Sequence, residues 1–121
     1  MADSEITSEE VLHNATETVL HQDIHYPHGG HEQISSSVMT IPPGAGTVRH
    51  RHDTQMYSYI LEGELTVSYD GGTVKTYRAG EAMIEAVGTV HSGRNNTDQP
   101  TRVLVVHFGI EGVENTVRVP E

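Results

Sequence analysis

At 121 residues the chain is long enough for one domain with its own core, and its 17 acidic against 7 basic side chains give a net charge of −10. That balance opposes binding to phosphate backbones and anionic lipid. The only basic clustering is Arg49 beside Arg51, so neither nucleic-acid nor membrane partners are expected. With no cysteine there is no disulfide frame and no thiolate metal site, which suits a reducing, cytoplasmic location.

Residues 1–32 are expected to form an N-terminal arm with one or two short strands, its acidic first ten residues solvated, and residues 33–121 to form the body of a single domain. Tyr26-Pro27-His28-Gly29-Gly30 marks a turn. Residues 33–41, rich in Ser, Val, Thr and Ile, read as a strand that Pro42-Pro43-Gly44 ends. A short strand over 47–52, a turn at Asp53-Thr54 and a strand over 55–61 follow, and Glu62-Gly63 turns the chain again. Residues 64–69 and 73–77 form a hairpin about Asp70-Gly71-Gly72. Beyond it come a strand over 82–86, a polar loop over 95–100, a nearly all-apolar strand over 101–108 and a final strand or tail over 112–119. Many short strands with frequent turns predict an all-β antiparallel sandwich or barrel with very little helix.

Nine histidines are many for this length. His50 and His52 stand two apart in a strand-like segment, where side chains alternate, so both imidazoles share one face. With a third imidazole from another strand, such as His91, they would make half of a metal coordination sphere. His13, His21, His25, His28 and His31 cluster in the first quarter and read as exposed groups that titrate near neutrality.

Around these histidines the chain resembles the cupin family. Gly44, five residues, His50-x-His52, then Ile60-Leu61-Glu62-Gly63-Glu64-Leu65 is similar to the first cupin motif. Gly80, five residues, Ala86-x-Gly88-x-x-His91-x-x-x-Asn95 is similar to the second. The resemblance spans roughly residues 33–109. It implies a small jelly-roll β-barrel with a metal in its mouth, and His50, His52 and His91 match the three histidine ligands. It also implies a homodimer, since many small cupins pair.

Two departures stand out. Ala86 occupies a position that is commonly proline. Met56, preceded by Gln55, occupies the position where the family usually carries a glutamate ligand. Three neutral imidazoles leave a divalent ion its full charge and make it a stronger Lewis acid. Fe(II), Cu(II), Ni(II) and Zn(II) suit such donors; Mn(II) prefers carboxylates. Met56 is expected to form an apolar wall beside the metal rather than a thioether ligand. Gln55 should point to the opposite face, unless a bulge shifts the register.

His107, inside the apolar run Val103-Leu104-Val105-Val106-His107-Phe108, reads first as a satisfied core residue, with a donor or general base beside the metal as the alternative. The alternation in Glu81-Ala82-Met83-Ile84-Glu85-Ala86 predicts that Glu85 faces outward; facing inward it could serve as an acid or base. Tyr57 and Tyr59 should lie on the far side of the sheet from the metal. Arg49 and Arg51 should point away from it and pair with nearby carboxylates, and Asn95 should fix its loop.

The expected function is a metal-dependent enzyme acting on a small, chelating, oxygenated substrate, with dioxygenation as the first reaction class. Non-redox isomerase, lyase or hydrolase chemistry at the same metal is the alternative enzyme reading. A cupin that binds a small ligand or metal without turnover is the third reading.

Overall fold

The computed structural model describes residues 5–120; the first four residues of the expected acidic arm lie outside them. Nine strands follow in chain order: β1 (Glu32–Ile41), β2 (His50–His52), β3 (Gln55–Glu62), β4 (Glu64–Tyr69), β5 (Val74–Arg78), β6 (Ala82–Ile84), β7 (His91–Arg94), β8 (Thr101–Ile110) and β9 (Thr116–Arg118). All pairings among them are antiparallel. They form a four-stranded sheet, β1-β8-β3-β6, and a five-stranded sheet, β5-β4-β7-β2-β9, the two faces of a jelly-roll barrel. Among the described residues no helix is long and apolar enough to cross a membrane.

The strands follow the sequence pattern closely except at five places, two of which are strand ends: β2 begins only at His50 instead of residue 47, and β9 covers only Thr116–Arg118 of the expected 112–119. Ahead of Glu32 the described arm contains one isolated bridge, Glu17 to Asp23, in place of named strands. The sixth strand stops at Ile84, so Glu85 and Ala86 belong to the turn that follows. His91–Arg94, which has no apolar run to announce it, is a strand held between β4 and β2.

Period-two alternation explains the core. Met56, Ile60, Leu65, Val67, Tyr69, Met83, Val103 and Val105 are buried between the sheets. On β3 this puts Met56, Ser58 and Ile60 inside, with Gln55, Tyr57 and Tyr59 on the outer face. The one irregularity of that strand against β8 falls between Ile60 and Glu62, at the opposite end from Gln55, so no bulge turns Gln55 inward. Gln55 and Tyr57 instead line a groove beneath Leu12, Ala15, Ile24 and Tyr26 of the arm.

Two residues lock the connections. Gly63 joins β3 to β4 with φ of +78°, and a Cβ there would stand 2.7 Å from the Pro100 carbonyl oxygen, so only glycine fits. Asn95 is fully buried. Its Nδ2 donates to the carbonyls of Ile41 (3.0 Å) and Gln99 (2.7 Å), and its Oδ1 accepts from the backbone N–H (3.0 Å) and hydroxyl (2.7 Å) of Thr97. The expected loop-fixing role is what these four bonds perform. Asn95→Ala leaves buried partners unpaired and is expected to cost about 2–4 kcal/mol, read from urea denaturation midpoints.

Candidate metal centre and its carboxylate neighbour

The two histidines of β2 and the first residue of β7 converge because of register. On the five-stranded sheet His91 pairs with His50 on one side and with Tyr69 on the other, so Tyr69, His91 and His50 form one cross-strand row. His52, two residues along β2, projects from the same face. Ring centroids of His50 and His91 are 4.5 Å apart, and those of His52 are 5.0 Å from each. One ligating nitrogen from each histidine lies within 4.8 Å of the others, so the three could hold a metal ion.

The donor chemistry fits a divalent transition metal. His50 Nδ1 is 2.7 Å from the Val48 carbonyl and His91 Nδ1 is 2.9 Å from the Thr89 carbonyl. A carbonyl only accepts, so Nδ1 carries the hydrogen in both rings and the Nε2 lone pair is free. His52 Nδ1 meets the Thr116 hydroxyl of β9 at 3.1 Å. Burial holds His50 below its ordinary pKa and pushes His52 down to about 3, with the neighbouring imidazoles adding to the effect at His52. All of this favours neutral rings, the form that ligates.

Glu85 does not face outward. It is 2% exposed and lines the cavity. It continues the inward parity of Met83 past the end of β6, and its burial is made tolerable by two donors on Oε1: the Tyr69 hydroxyl at 2.7 Å and the Ala86 backbone N–H at 2.8 Å. The other oxygen, Oε2, stands 3.7 Å from His91 Nε2. Tyr69 in turn shares a 2.9 Å hydrogen bond with the Tyr77 hydroxyl. Burial and the Glu85 charge raise the Tyr69 phenol far above its usual range. Burial, with Glu85 and Glu81 contributing, pushes Tyr77 up to about 12, so both remain donors. The alternation Leu65-x-Val67-x-Tyr69 already places Tyr69 inside; its role is not legible in the sequence because the alternation around its partner, Glu85, points that carboxylate outward.

His107 also departs from expectation. It is not a satisfied core residue: Nδ1 is buried with no hydrogen-bond partner among the described residues. Its ring lies 5.5 Å from that of His52, and burial lowers its pKa. Met56 lines the cavity. Arg49 and Arg51 pair with Asp70 and Asp53 at the surface, contacts of about 0–1 kcal/mol each. His13, His21, His25, His28 and His31 are exposed in the arm and contribute nothing to the lining of this cavity.

The cavity between the sheets has a volume of about 600 Å³, within the range of small-ligand sites. Met56, Leu65, Val67, Met83, Val103 and Val105 make its walls apolar, and its polar groups are the imidazoles, Glu85, Arg118 and the hydroxyls of Ser37, Thr47, Ser58 and Thr116.

Residues 37–107 match the family described as Cupin domain, and the chain belongs to that family. No curated protein matches it in sequence. Solved structures share the fold. An oxalate decarboxylase from Lactobacillus farciminis in complex with formate is 20% identical with a TM-score of 0.61, over 71% of this chain and 26% of the other. The DMSP lyase DddQ from Ruegeria pomeroyi is 23% identical with a TM-score of 0.61, over 71% of this chain and 43% of the other. The polyketide cyclase RemF from Streptomyces resistomycificus is 25% identical with a TM-score of 0.61, over 81% and 68%. The chain thus spans about a quarter of the decarboxylase and under half of the lyase.

Proposed function

We propose that this cupin is a metal-dependent enzyme whose His50, His52 and His91 hold one divalent transition metal and whose Glu85 moves a proton on a small, oxygen-bearing, largely apolar substrate. The observation that carries the reading is Glu85 Oε2, without a hydrogen-bond donor among the described residues and 3.7 Å from His91 Nε2, on a carboxyl whose other oxygen is fixed by two donors. When bound, the ion supplies a Lewis acid for a substrate carbonyl or carboxylate oxygen. Glu85 then takes or returns the proton of the adjacent carbon, with Tyr69 and Ala86 holding the carboxyl in place. The apolar walls exclude water and select a hydrophobic remainder.

This favours the lyase, isomerase or cyclase classes over dioxygenation. A buried carboxylate costs folding free energy, and carbon-acid chemistry gives it a use. The named activities of the similar structures, a decarboxylase, a lyase and a cyclase, agree in kind. Dioxygenation of a chelating substrate with iron or copper is the second reading, supported by the apolar walls, which would shield a reactive intermediate from solvent. The exposed Ile34 and Val38 on the outward face of β1 support a homodimer.

Elemental analysis of untagged protein and a turnover screen of carbonyl compounds with and without oxygen test the reading. Bound metal with oxygen-independent turnover is expected; turnover that requires oxygen would replace it with the second reading. His91→Ala is expected to weaken metal binding by more than about 100-fold at unchanged far-UV circular dichroism. Unchanged metal content in that variant would remove the assignment.

A further inference from the structure

We propose that His107 is a further metal ligand, a fourth imidazole delivered from the opposite sheet. The inference rests on the metal reading above and extends it to a residue outside the three-histidine cluster.

Three observations converge. First, in the register of β3 against β8, His107 pairs directly with Met56, and both line the cavity. Directly paired residues on neighbouring antiparallel strands share a face, so His107 stands beside the wall position that offers the cation no oxygen or nitrogen donor. Second, among the described residues His107 Nδ1 is buried without a partner, alone among the four cavity imidazoles in lacking a hydrogen bond at that atom. His50 and His91 donate from Nδ1 to backbone carbonyls, which fixes the ring and leaves Nε2 free, and His52 Nδ1 meets the Thr116 hydroxyl; His107 is not held in that way. A buried unpaired ring nitrogen calls for an occupant, an ion or a water. Third, its ring centroid is 5.5 Å from that of His52. Imidazoles that share one ion through bonds of about 2 Å have centroids roughly 4.5–6 Å apart, and the pairs within the triad span 4.5 to 5.0 Å.

The cluster of nitrogens within 4.8 Å of one another stops at three. Ligation by His107 therefore requires its ring to turn toward His52, a side-chain rotation that an unanchored Nδ1 and a 600 Å³ cavity leave open. The resulting all-imidazole set keeps the ion's double positive charge undiminished, which selects Zn(II), Cu(II), Ni(II) or Fe(II) over Mn(II). It also ties the two sheets together through the ion, β2 and β7 on one side and β8 on the other.

The test is Co(II) and Zn(II) binding to the full chain, measured by chelator competition and by the visible absorption of bound Co(II). His107→Ala is expected to weaken binding about 10- to 100-fold and to change the Co(II) ligand-field bands. Adding Met56→Glu to His107→Ala is expected to restore affinity to within a few-fold of the starting protein, because a carboxylate then enters from the paired position. His107→Gln, which keeps a polar side chain of similar reach, controls for packing and is expected to behave like His107→Ala in the Co(II) spectrum. Unchanged affinity and spectrum in both His107 variants, while His91→Ala loses the metal, would overturn the proposal and leave the three-histidine site standing. No binding by the starting protein would overturn both.

Discussion

Glu85→Gln is expected to retain its metal and its fold and to lose about 10²- to 10⁴-fold in kcat, the usual contribution of a positioned proton-transfer group. The substitution is selective because of how the carboxyl is held. The glutamine carbonyl oxygen can accept the same two bonds that Oε1 accepts, from the Tyr69 hydroxyl and the Ala86 N–H. Its amide nitrogen takes the place of Oε2, the oxygen 3.7 Å from His91 Nε2, and an amide cannot carry the proton. A group that acts only on the reacting proton changes kcat and kcat/KM together and leaves metal affinity nearly constant. Tyr69→Phe removes one of the two donors and should give a smaller loss, because the Ala86 N–H still fixes the carboxyl. Steady-state kinetics at saturating metal measure both variants. Full activity in Glu85→Gln would show that the proton leaves by another route, and the oxygen-dependent reading would then regain first place.

The framework and the imidazole trio were legible in the sequence because each rests on a short-range signal. Alternation and turn residues mark β1, β3, β4, β5 and β8 to within a residue or two. The two-residue spacing of His50 and His52 fixes their common face. What escaped notice depends on contacts between distant segments. β7 contains His91, Ser92, Gly93 and Arg94, without an apolar pattern, and is a strand because β4 and β2 offer it edges. Glu85 reads as an outward residue if Ala82, Ile84 and Ala86 are taken as the buried set. Met83 is the residue that points in, and the donors that make an inward carboxylate affordable come from Tyr69, sixteen residues earlier, and from a turn N–H. His107 sits in an apolar run that gives no hint of an unpaired ring nitrogen; only its pairing with Met56 across β3 and β8 and its distance from His52 reveal the cavity it faces.

Acid is expected to destabilise the protein steeply when chelator keeps metal away, beginning near pH 6.5. His52 is the strongest case: burial, then the charges of His91, His50 and His107, lower it from 6.5 to about 3. His50 and His107 are lowered as well, in both cases chiefly by burial. Glu85, the acidic side chain of the cavity lining, acts on His50 in the opposite sense but is outweighed. Between pH 6.5 and about 3 the unfolded chain binds a proton at position 52 that the folded chain refuses. Stability from this group is therefore full above 6.5 and falls with pH, by about tenfold in the folding equilibrium per pH unit. His50 and His107 add to the slope over narrower windows below 6.5. Urea midpoints from pH 8 to pH 4 in the presence of chelator measure the decline, and His52→Asn should flatten it by about one proton. Metal should raise the midpoint at pH 7 and lose that effect in acid, because protons and the cation compete for the same nitrogens. A flat profile between pH 7 and pH 5 would mean that the imidazoles protonate in place. The buried, neutral rings on which the ligand assignment depends would then have to be given up.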